Sequence, residues 1–248
     1  MTYNDRNILA MGIEGCQKLE AAHVLVVGVG GVGAYAAEML VRAGVGHLTV
    51  IDPDVVSLSN LNRQLVALHS TIGRPKVEVL RERLLDINPE LDIDARQLYL
   101  KDELTDQVLN ERHYDYVVDA IDTLAPKVFL LYAAVQRGLP VVSSMGSGGK
   151  TDPTRVRIDD ISRSNYCKLA RMVRKRLHHL GVREGIQVVY SDEVVEREKV
   201  ELTEGEQNKH SNVGSLSFMP AIFGCSLASI VIRALVATPW DIRCPSSI

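Results

Sequence analysis

Paired cysteines are missing from this chain. Its four cysteines, Cys16, Cys167, Cys225 and Cys244, are scattered with no C-x-x-C pair among them. That excludes a tetrahedral zinc site built from two such pairs. A basic field is missing as well: the formal charge is −3, so the average announces no polyanionic partner. Long apolar runs are absent too. The tail from Gly214 to Ala237 comes closest, but Pro220 interrupts it, Arg233 lies within it, and the run from Ala221 to Ile232 is only twelve residues. A span needs about 20, so this tail reads as a helix buried in the core or in a subunit interface, with Cys225 a packed thiol. The opening MTYNDRNILAMG carries an acid and no apolar core, unlike a secretory signal. Nothing is repeated or low in complexity. With 46% apolar and 24% charged residues over 248 positions, the expectation is a reduced, cytoplasmic protein with no membrane segment, built as one large α/β domain.

What is present is organised around VLVVGVGGVGAYAAEMLVRAGVGHLTVIDPD, from Val24 to Asp54. Four apolar, β-branched-rich residues (24–27) predict a strand buried on both faces. A glycine turn follows, then a helix over about 32–43, then a second strand over 48–51 ending at Asp52. Strand, glycine turn, helix, strand, acid is the order of a nucleotide-binding βαβ unit. Gly28, Gly30 and Gly33 have G-x-G-x-x-G spacing, which brings backbone N–H groups and a helix N-terminus against phosphate. Asp52 is placed for ribose hydroxyls. Alone, this pattern serves dinucleotides and mononucleotides equally, and a glycine turn that binds nothing would share it.

Further along, a short helix over about 8–20 carries Arg6 just ahead of it, either a surface charge or a functional group. Residues 57–64 form a polar loop rich in Asn and Ser. Val77, Leu80, Leu84 and Ile87 give a 3.6-residue period for a helix that Lys76 opens. A lysine there opposes the helix dipole unless an anion is near; plain solvent exposure is the alternative. A strand over 91–98, a helix over 102–109 and a buried strand over 116–121 follow. Asp122 stands at that strand's end, facing phosphate or magnesium, capping the next helix (124–137), or both. A strand over 140–144 leads into the glycine-rich MGSGGKTDPT. Charge then becomes uneven: 162–183 holds seven Lys/Arg, two His and no acid, whereas acids dominate 192–206. Leu169, Val173, Leu177 and Leu180 mark a packed helix face, with Arg171, Arg174, Lys175 and His178 opposite. Such a face is either solvated or aimed at a phosphate backbone.

GVGGVG, IDPD, SNLNRQ, G-x-x-K and DAID, in that order, resemble the ATP-dependent adenylating enzymes related to ubiquitin-activating enzyme, MoeB and ThiF. The resemblance covers roughly residues 6–144. It implies a Rossmann-like α/β fold with a mostly parallel central sheet, and ATP with Mg²⁺ rather than a nicotinamide dinucleotide. By the same resemblance Gly28, Gly30, Gly31 and Gly33 line the phosphates and Asp52 holds the ribose, with Asp54 beside it. Ser59, Asn60, Arg63 and Gln64 form the triphosphate loop, and Lys76 reaches the phosphates. Asp122 holds magnesium, with Thr123 next to it. Arg6 matches an arginine that crosses a homodimer to the partner's ATP. Arg63, Lys76, Asp122 and Arg6 are the implied catalytic set.

The second half is similar to the tRNA threonylcarbamoyladenosine dehydratases, the YgdL/CsdL-like proteins, through SSMGSGGKTDPTRVRIDDISRS, LARMVRKRL, VVYSDE and GSLSFMPAIFG. That extends the likeness over nearly all of residues 1–248 as a single adenylating domain. Residues 1–150 would be its ATP-binding half and 151–248 a substrate-side half with a basic helix at about 166–180. The resemblance implies that tRNA carrying threonylcarbamoyladenosine is the substrate, its carboxylate adenylated and then closed into a ring. Arg171, Arg174, Lys175 and Arg176 are the expected tRNA contacts. A cysteine-desulfurase or sulfur-acceptor partner is left open. Activation of a ubiquitin-like sulfur carrier is the competing activity; the absent cysteine pairs and the basic segment weigh against it. A nicotinamide dehydrogenase would leave SNLNRQ, Lys76 and DAID unexplained. A non-catalytic nucleotide binder finds no support, since every expected ATP residue is present.

Overall fold

The structure, a computed structural model, describes residues 4–195, 200–202 and 211–236. Cys244 and much of the acidic stretch after Asp192 lie outside the described residues. In chain order the elements are α1 (Asp5–Ala21), β1 (His23–Val27), α2 (Gly33–Ala43), β2 (His47–Ile51), α3 (Lys76–Ile87), β3 (Asp92–Arg96), α4 (Glu103–Glu111) and β4 (Tyr116–Asp119). Then come α5 (Leu124–Gln136), β5 (Val141–Ser144), β6 (Val156–Asp160), α6 (Lys168–His179), β7 (Gln187–Ser191), β8 (Val200–Leu202), β9 (Ser211–Val213) and α7 (Phe218–Val236).

β1 lies inside a sheet of order β3-β2-β1-β4-β5-β7-β6, parallel throughout except for the antiparallel edge strand β6. Strands β8 and β9 form a separate antiparallel hairpin. The alternation along β1 shows why its sequence is apolar without interruption. Val24 and Val26 enter one core, with residues of α1, α2, α3 and α7; Leu25 and Val27 enter the other, with residues of α4, α5 and α6. Each such side chain, fully removed from water, contributes about 1.5–3 kcal/mol. This is the three-layer α/β fold with a largely parallel sheet that the sequence implies, extended at its C-terminal end.

Several details depart from the sequence reading. Helix α1 starts at Asp5, so Arg6 lies within its first turn, and it kinks at Gly12, where φ is 76°. Pro220 does not interrupt the tail: it sits in the first turn of α7, where the missing N–H has no intrahelical partner to lose. Helix α7 packs on α2 and α1, with Met219, Phe223, Leu227, Ala228 and Val231 buried. It is long and apolar enough to cross a membrane by composition, but its most apolar stretch is 50% buried inside the fold. Cys225 is exposed on α7 rather than packed.

The sheet order reverses between β1 and β4. Chain from β1 runs outward through β2 and β3 on one side, and β4 and β5 continue on the other. In open α/β sheets the crevice beyond the strands' carboxyl ends at such a reversal is where ligands sit. The glycine turn after β1, the Asp52 turn after β2, the Asp122 turn after β4 and the glycine-rich segment after β5 all project from that end.

Candidate active site

The glycine turn is shaped by backbone crowding. Gly28 has φ +87°, and a β-carbon there would lie 2.7 Å from the Ala120 carbonyl oxygen. At Gly33 a β-carbon would lie 1.7 Å from the Gly28 carbonyl oxygen. The turn thus folds tightly onto itself and onto the segment after β4. Gly30 is open by contrast, its surroundings set only by the Gln64 amide, 3.6 Å from where a β-carbon would be. Gly31 borders Arg63 and Pro220. At the N-terminus of α2, Val32 occupies the cap position without a side-chain cap bond, and the first turn holds no acid. Backbone N–H groups of that turn face the crevice with the positive end of the helix dipole.

Asp52 is buried, and its carboxylate accepts hydrogen bonds from the Val29 N–H at 2.7 Å and the Asp54 N–H at 2.9 Å. It therefore ties the glycine turn to the β2 turn, a role its position after the strand did not reveal. Burial raises its pKa above the usual carboxylate value, against the lowering influence of Lys76 and the two N–H donors. Lys76 is buried, not solvated, and its ammonium lies 2.7 Å from the largely exposed Asp54 carboxylate. That carboxylate is the anion that a lysine at a helix N-terminus calls for.

The polar loop is a short 3-10 turn, Leu58–Asn60. Asn60 is buried and its side-chain oxygen accepts the Ser57 N–H; Ser59 and Ser57 hydroxyls are 2.9 Å apart. Arg63 donates to the Ser59 carbonyl at 2.9 Å and to the Asn62 side chain at 2.8 Å. The Gln64 amide oxygen is buried and has no hydrogen-bond partner among the described residues. A buried acceptor without a partner costs about 1–3 kcal/mol, so the crevice holds a position that a ligand donor or water would satisfy.

Strand β4 stops at Asp119, earlier than the sequence suggests. Asp122 is exposed three residues beyond it, and Thr123, not Asp122, occupies the cap position of α5. Among the described residues no group of three or more His, Cys, Asp or Glu side chains could hold a metal ion. One carboxylate at a phosphate site still fits Mg²⁺, which typically uses one or two carboxylates plus substrate phosphates and water.

Beyond that crevice, α6 buries Ala170, Val173 and Leu177, whereas Leu180 is exposed and Leu169 half-buried. Arg171, Lys175 and Arg176 are exposed. They line an open cavity of about 600 Å³ together with Leu124, Met172 and His179. Leu124 directly follows Asp122 and Thr123 at the start of α5, so the basic groove opens beside the turn that carries Asp122. Arg174 behaves differently from its neighbours. Its guanidinium turns inward and donates to the Ser164 carbonyl at 2.7 Å, to the Ile161 carbonyl at 3.3 Å and to the Ser164 hydroxyl. The heptad-like spacing could not separate it from the outward arginines. Replacing Arg174 with Ala is expected to cost about 1–2 kcal/mol of stability through those lost bonds, read in a thermal melt, while leaving the exposed basic face of Arg171, Lys175 and Arg176 in place.

Lys150 was not singled out by sequence. It is buried, its ammonium donating to the carbonyls of Ser191 at 3.1 Å, Tyr166 at 3.3 Å and Glu193, and burial pulls its pKa down. It anchors the glycine-rich segment after β5 to the loop before α6 and to the end of β7. The Gly149 N–H reaches the Gly214 carbonyl at 2.7 Å, and the Asn62 side chain donates to the Ser215 carbonyl at 3.0 Å. The chain leading into α7 thus bridges the polar loop and the glycine-rich segment.

A family model described as the ThiF family matches residues 4–244 of this chain. The chain belongs to the ThiF family. Among ThiF-family relatives, the Bacillus subtilis tRNA threonylcarbamoyladenosine dehydratase is 40% identical over 238 residues, covering 93% of each chain. The crystal structure of the Escherichia coli tRNA N6-threonylcarbamoyladenosine dehydratase in complex with ATP superposes with a TM-score of 0.85 at 32% identity, over 94% of this chain and 93% of that one. The same enzyme in complex with AMP superposes with TM-score 0.85 over the same shares. These likenesses span both the crevice at the strand ends and the basic helix, not the first half of the chain alone.

Among the described residues no thiol is poised as a nucleophile. Cys167 caps α6 through its sulfur, which accepts the Ala170 N–H at 3.5 Å. Desolvation pushes the Cys16 and Cys225 thiols above their usual pKa, which lowers the thiolate fraction.

Proposed function

We propose that this protein uses ATP to dehydrate N6-threonylcarbamoyladenosine in tRNA, activating the threonyl carboxylate as an acyl-adenylate and closing it into a ring. The observation that carries the reading is the joining of two features. A crevice at the strand ends, bordered by residues of the expected ATP-binding set, opens beside a basic groove, in a chain alike over 94% of its length to a dehydratase solved with ATP. The carboxylate attacks the α-phosphorus, forming a C–O–P linkage and expelling pyrophosphate. The neighbouring carbamoyl group then attacks the activated carbonyl, AMP leaves and a carbamoyl N–H proton passes to solvent, for a net loss of one water. The attacking carboxylate is already an anion at neutral pH, so the adenylation step needs no general base. Ring closure is intramolecular and depends chiefly on positioning.

The backbone N–H groups around Gly28, Gly30, Gly31 and Gly33 are proposed to hold the phosphates. Asp52 and Asp54 would face the ribose, and Ser59, Asn60, Arg63, Gln64 and Lys76 the triphosphate. Asp122, with Thr123 beside it, would hold the Mg²⁺ that accompanies ATP and spreads phosphate charge. Arg63 and Lys76 would stabilise charge as it develops on the phosphoryl oxygens. A homodimer in which Arg6 serves the partner's ATP is supported by the surface around it: Leu9 and Ile13 on the same kinked helix are 87% and 66% exposed. The proposed compartment is the cytoplasm.

The tRNA would lie in the α6 groove on Arg171, Lys175 and Arg176. Arg171→Glu with Lys175→Glu is expected to weaken tRNA binding and flatten its salt dependence by about two phosphate contacts' worth of slope. A titration at several salt concentrations reads this, and an unchanged slope would return the helix face to plain solvation. The activity itself is tested by ATP–pyrophosphate exchange. Exchange should require tRNA bearing threonylcarbamoyladenosine. Exchange provoked instead by a small protein ending in Gly-Gly would move the assignment to sulfur-carrier activation.

A further inference from the structure

Beneath the Asp122 turn lies a charged cluster that the mechanism above does not use. Asp119, the last residue of β4, and Lys127, on the second turn of α5, are both wholly buried, with ammonium and carboxylate 2.5 Å apart. The Ser143 hydroxyl, also buried, donates to the same carboxylate oxygen at 2.6 Å, and Lys127 lies 3.1 Å from that hydroxyl. Burying such a pair is costly, and apolar residues of similar volume often serve stability as well or better. Its other carboxylate oxygen suggests what the pair does instead. That oxygen accepts the Ile121 N–H at 3.1 Å, inside the turn that ends at Asp122. The preceding residue, Ala120, donates to the Val27 carbonyl at 2.8 Å, and its own carbonyl abuts Gly28. The carboxylate therefore sets a turn that touches the phosphate loop on one side and carries Asp122 on the other.

We propose that Asp119, Lys127 and Ser143 are positioning residues: through the Asp119–Ile121 hydrogen bond they hold Asp122 where it meets the cation of Mg-ATP. This rests on the reading of Asp122 as the Mg²⁺-facing carboxylate. Lys127 and Ser143 hold the Asp119 side chain in one orientation, and Asp119 holds the turn.

Two charge-free double variants of the full chain separate positioning from stability. Asp119→Leu with Lys127→Met removes the pair and the acceptor for Ile121. Asp119→Asn with Lys127→Met removes the pair but keeps an amide oxygen for Ile121 and an amide N–H for Ser143. Calorimetric ATP binding is measured in EDTA and across a Mg²⁺ titration, with thermal melts alongside. For the Leu/Met variant the Mg²⁺ midpoint should rise about tenfold, the scale of outer-shell losses at metal sites, with ATP affinity in EDTA unchanged. The Asn/Met variant should keep the parental midpoint. Ser143→Ala, a milder change that adds no charge imbalance, should shift the midpoint in the same direction by about threefold, as expected for one lost hydrogen bond of modest strength. Equal midpoints in the Leu/Met and Asn/Met variants, or a parental midpoint in both the Leu/Met and Ser143→Ala variants, would overturn the proposal. Asp122→Asn in the parental background tests the reading beneath it. If that variant keeps the parental midpoint, Asp122 does not serve Mg²⁺ and the proposal falls with it. If it shifts while the Leu/Met variant does not, only the positioning role fails.

Discussion

Lys76→Met is expected to lower ATP–pyrophosphate exchange by about 10³-fold, the scale of losing one preorganised donor to a developing oxyanion. The substitution keeps the buried stem at the start of α3 and removes only the ammonium. In the structure that ammonium lies 2.7 Å from Asp54, whose carboxylate is 62% exposed. Breaking a pair with so exposed a partner costs at most about 1 kcal/mol, so the variant should melt close to the parent. Catalytic loss without stability loss is the signature to look for. Exchange within about tenfold of parent would remove Lys76 from the chemistry and leave it as a structural partner of Asp54.

The second large effect is expected at Gly33. A β-carbon there would lie 1.7 Å from the Gly28 carbonyl oxygen, 2.9 Å from its carbon and 3.0 Å from the Ala120 β-carbon. The nearest obstacle is backbone and cannot swing aside as a long side chain could. Gly33→Ala should therefore push α2 away from the turn, opening the phosphate cradle and disturbing the β4 turn together. The expected destabilisation is about 3 kcal/mol, the upper range of overpacking. In a chain of this size that corresponds to a melting temperature lower by about 6–12 °C. ATP binding should be lost even at temperatures where the variant remains folded. A contrast is available at Gly30, where a β-carbon would meet only the Gln64 amide at 3.6 Å and 3.9 Å. A melt of Gly33→Ala indistinguishable from the parent's would contradict the packing argument.

The first half of the chain was largely legible because its signals are local and periodic. The β1, α2, β2 and α3 segments follow from apolar runs, a glycine turn and a 3.6-residue repeat, and each reaches the structure with small boundary changes. The charged edge strand β6, VRIDD, was not legible. It has little apolar content, and its pairing with β7 is a tertiary event. Buried polar partnerships escaped for the same reason. Asp119 with Lys127, Lys150 with three carbonyls, and Arg174 with Ser164 each join residues whose meeting depends on the finished fold. Asp52 illustrates a mixed case. Its place after a strand pointed to the nucleotide, whereas its bonds to the Val29 and Asp54 N–H groups could be seen only once the turns were built. Helix spacing likewise identified the basic α6 but could not sort its inward arginine from the outward ones.

The most direct test of the central claim is mass analysis of nucleosides from tRNA that carries threonylcarbamoyladenosine, incubated with this protein and Mg-ATP. The account predicts that this nucleoside loses the mass of one water, only when ATP is present, with AMP and pyrophosphate formed in equal amounts. An unchanged nucleoside mass under those conditions, with the protein folded and binding ATP, would contradict it.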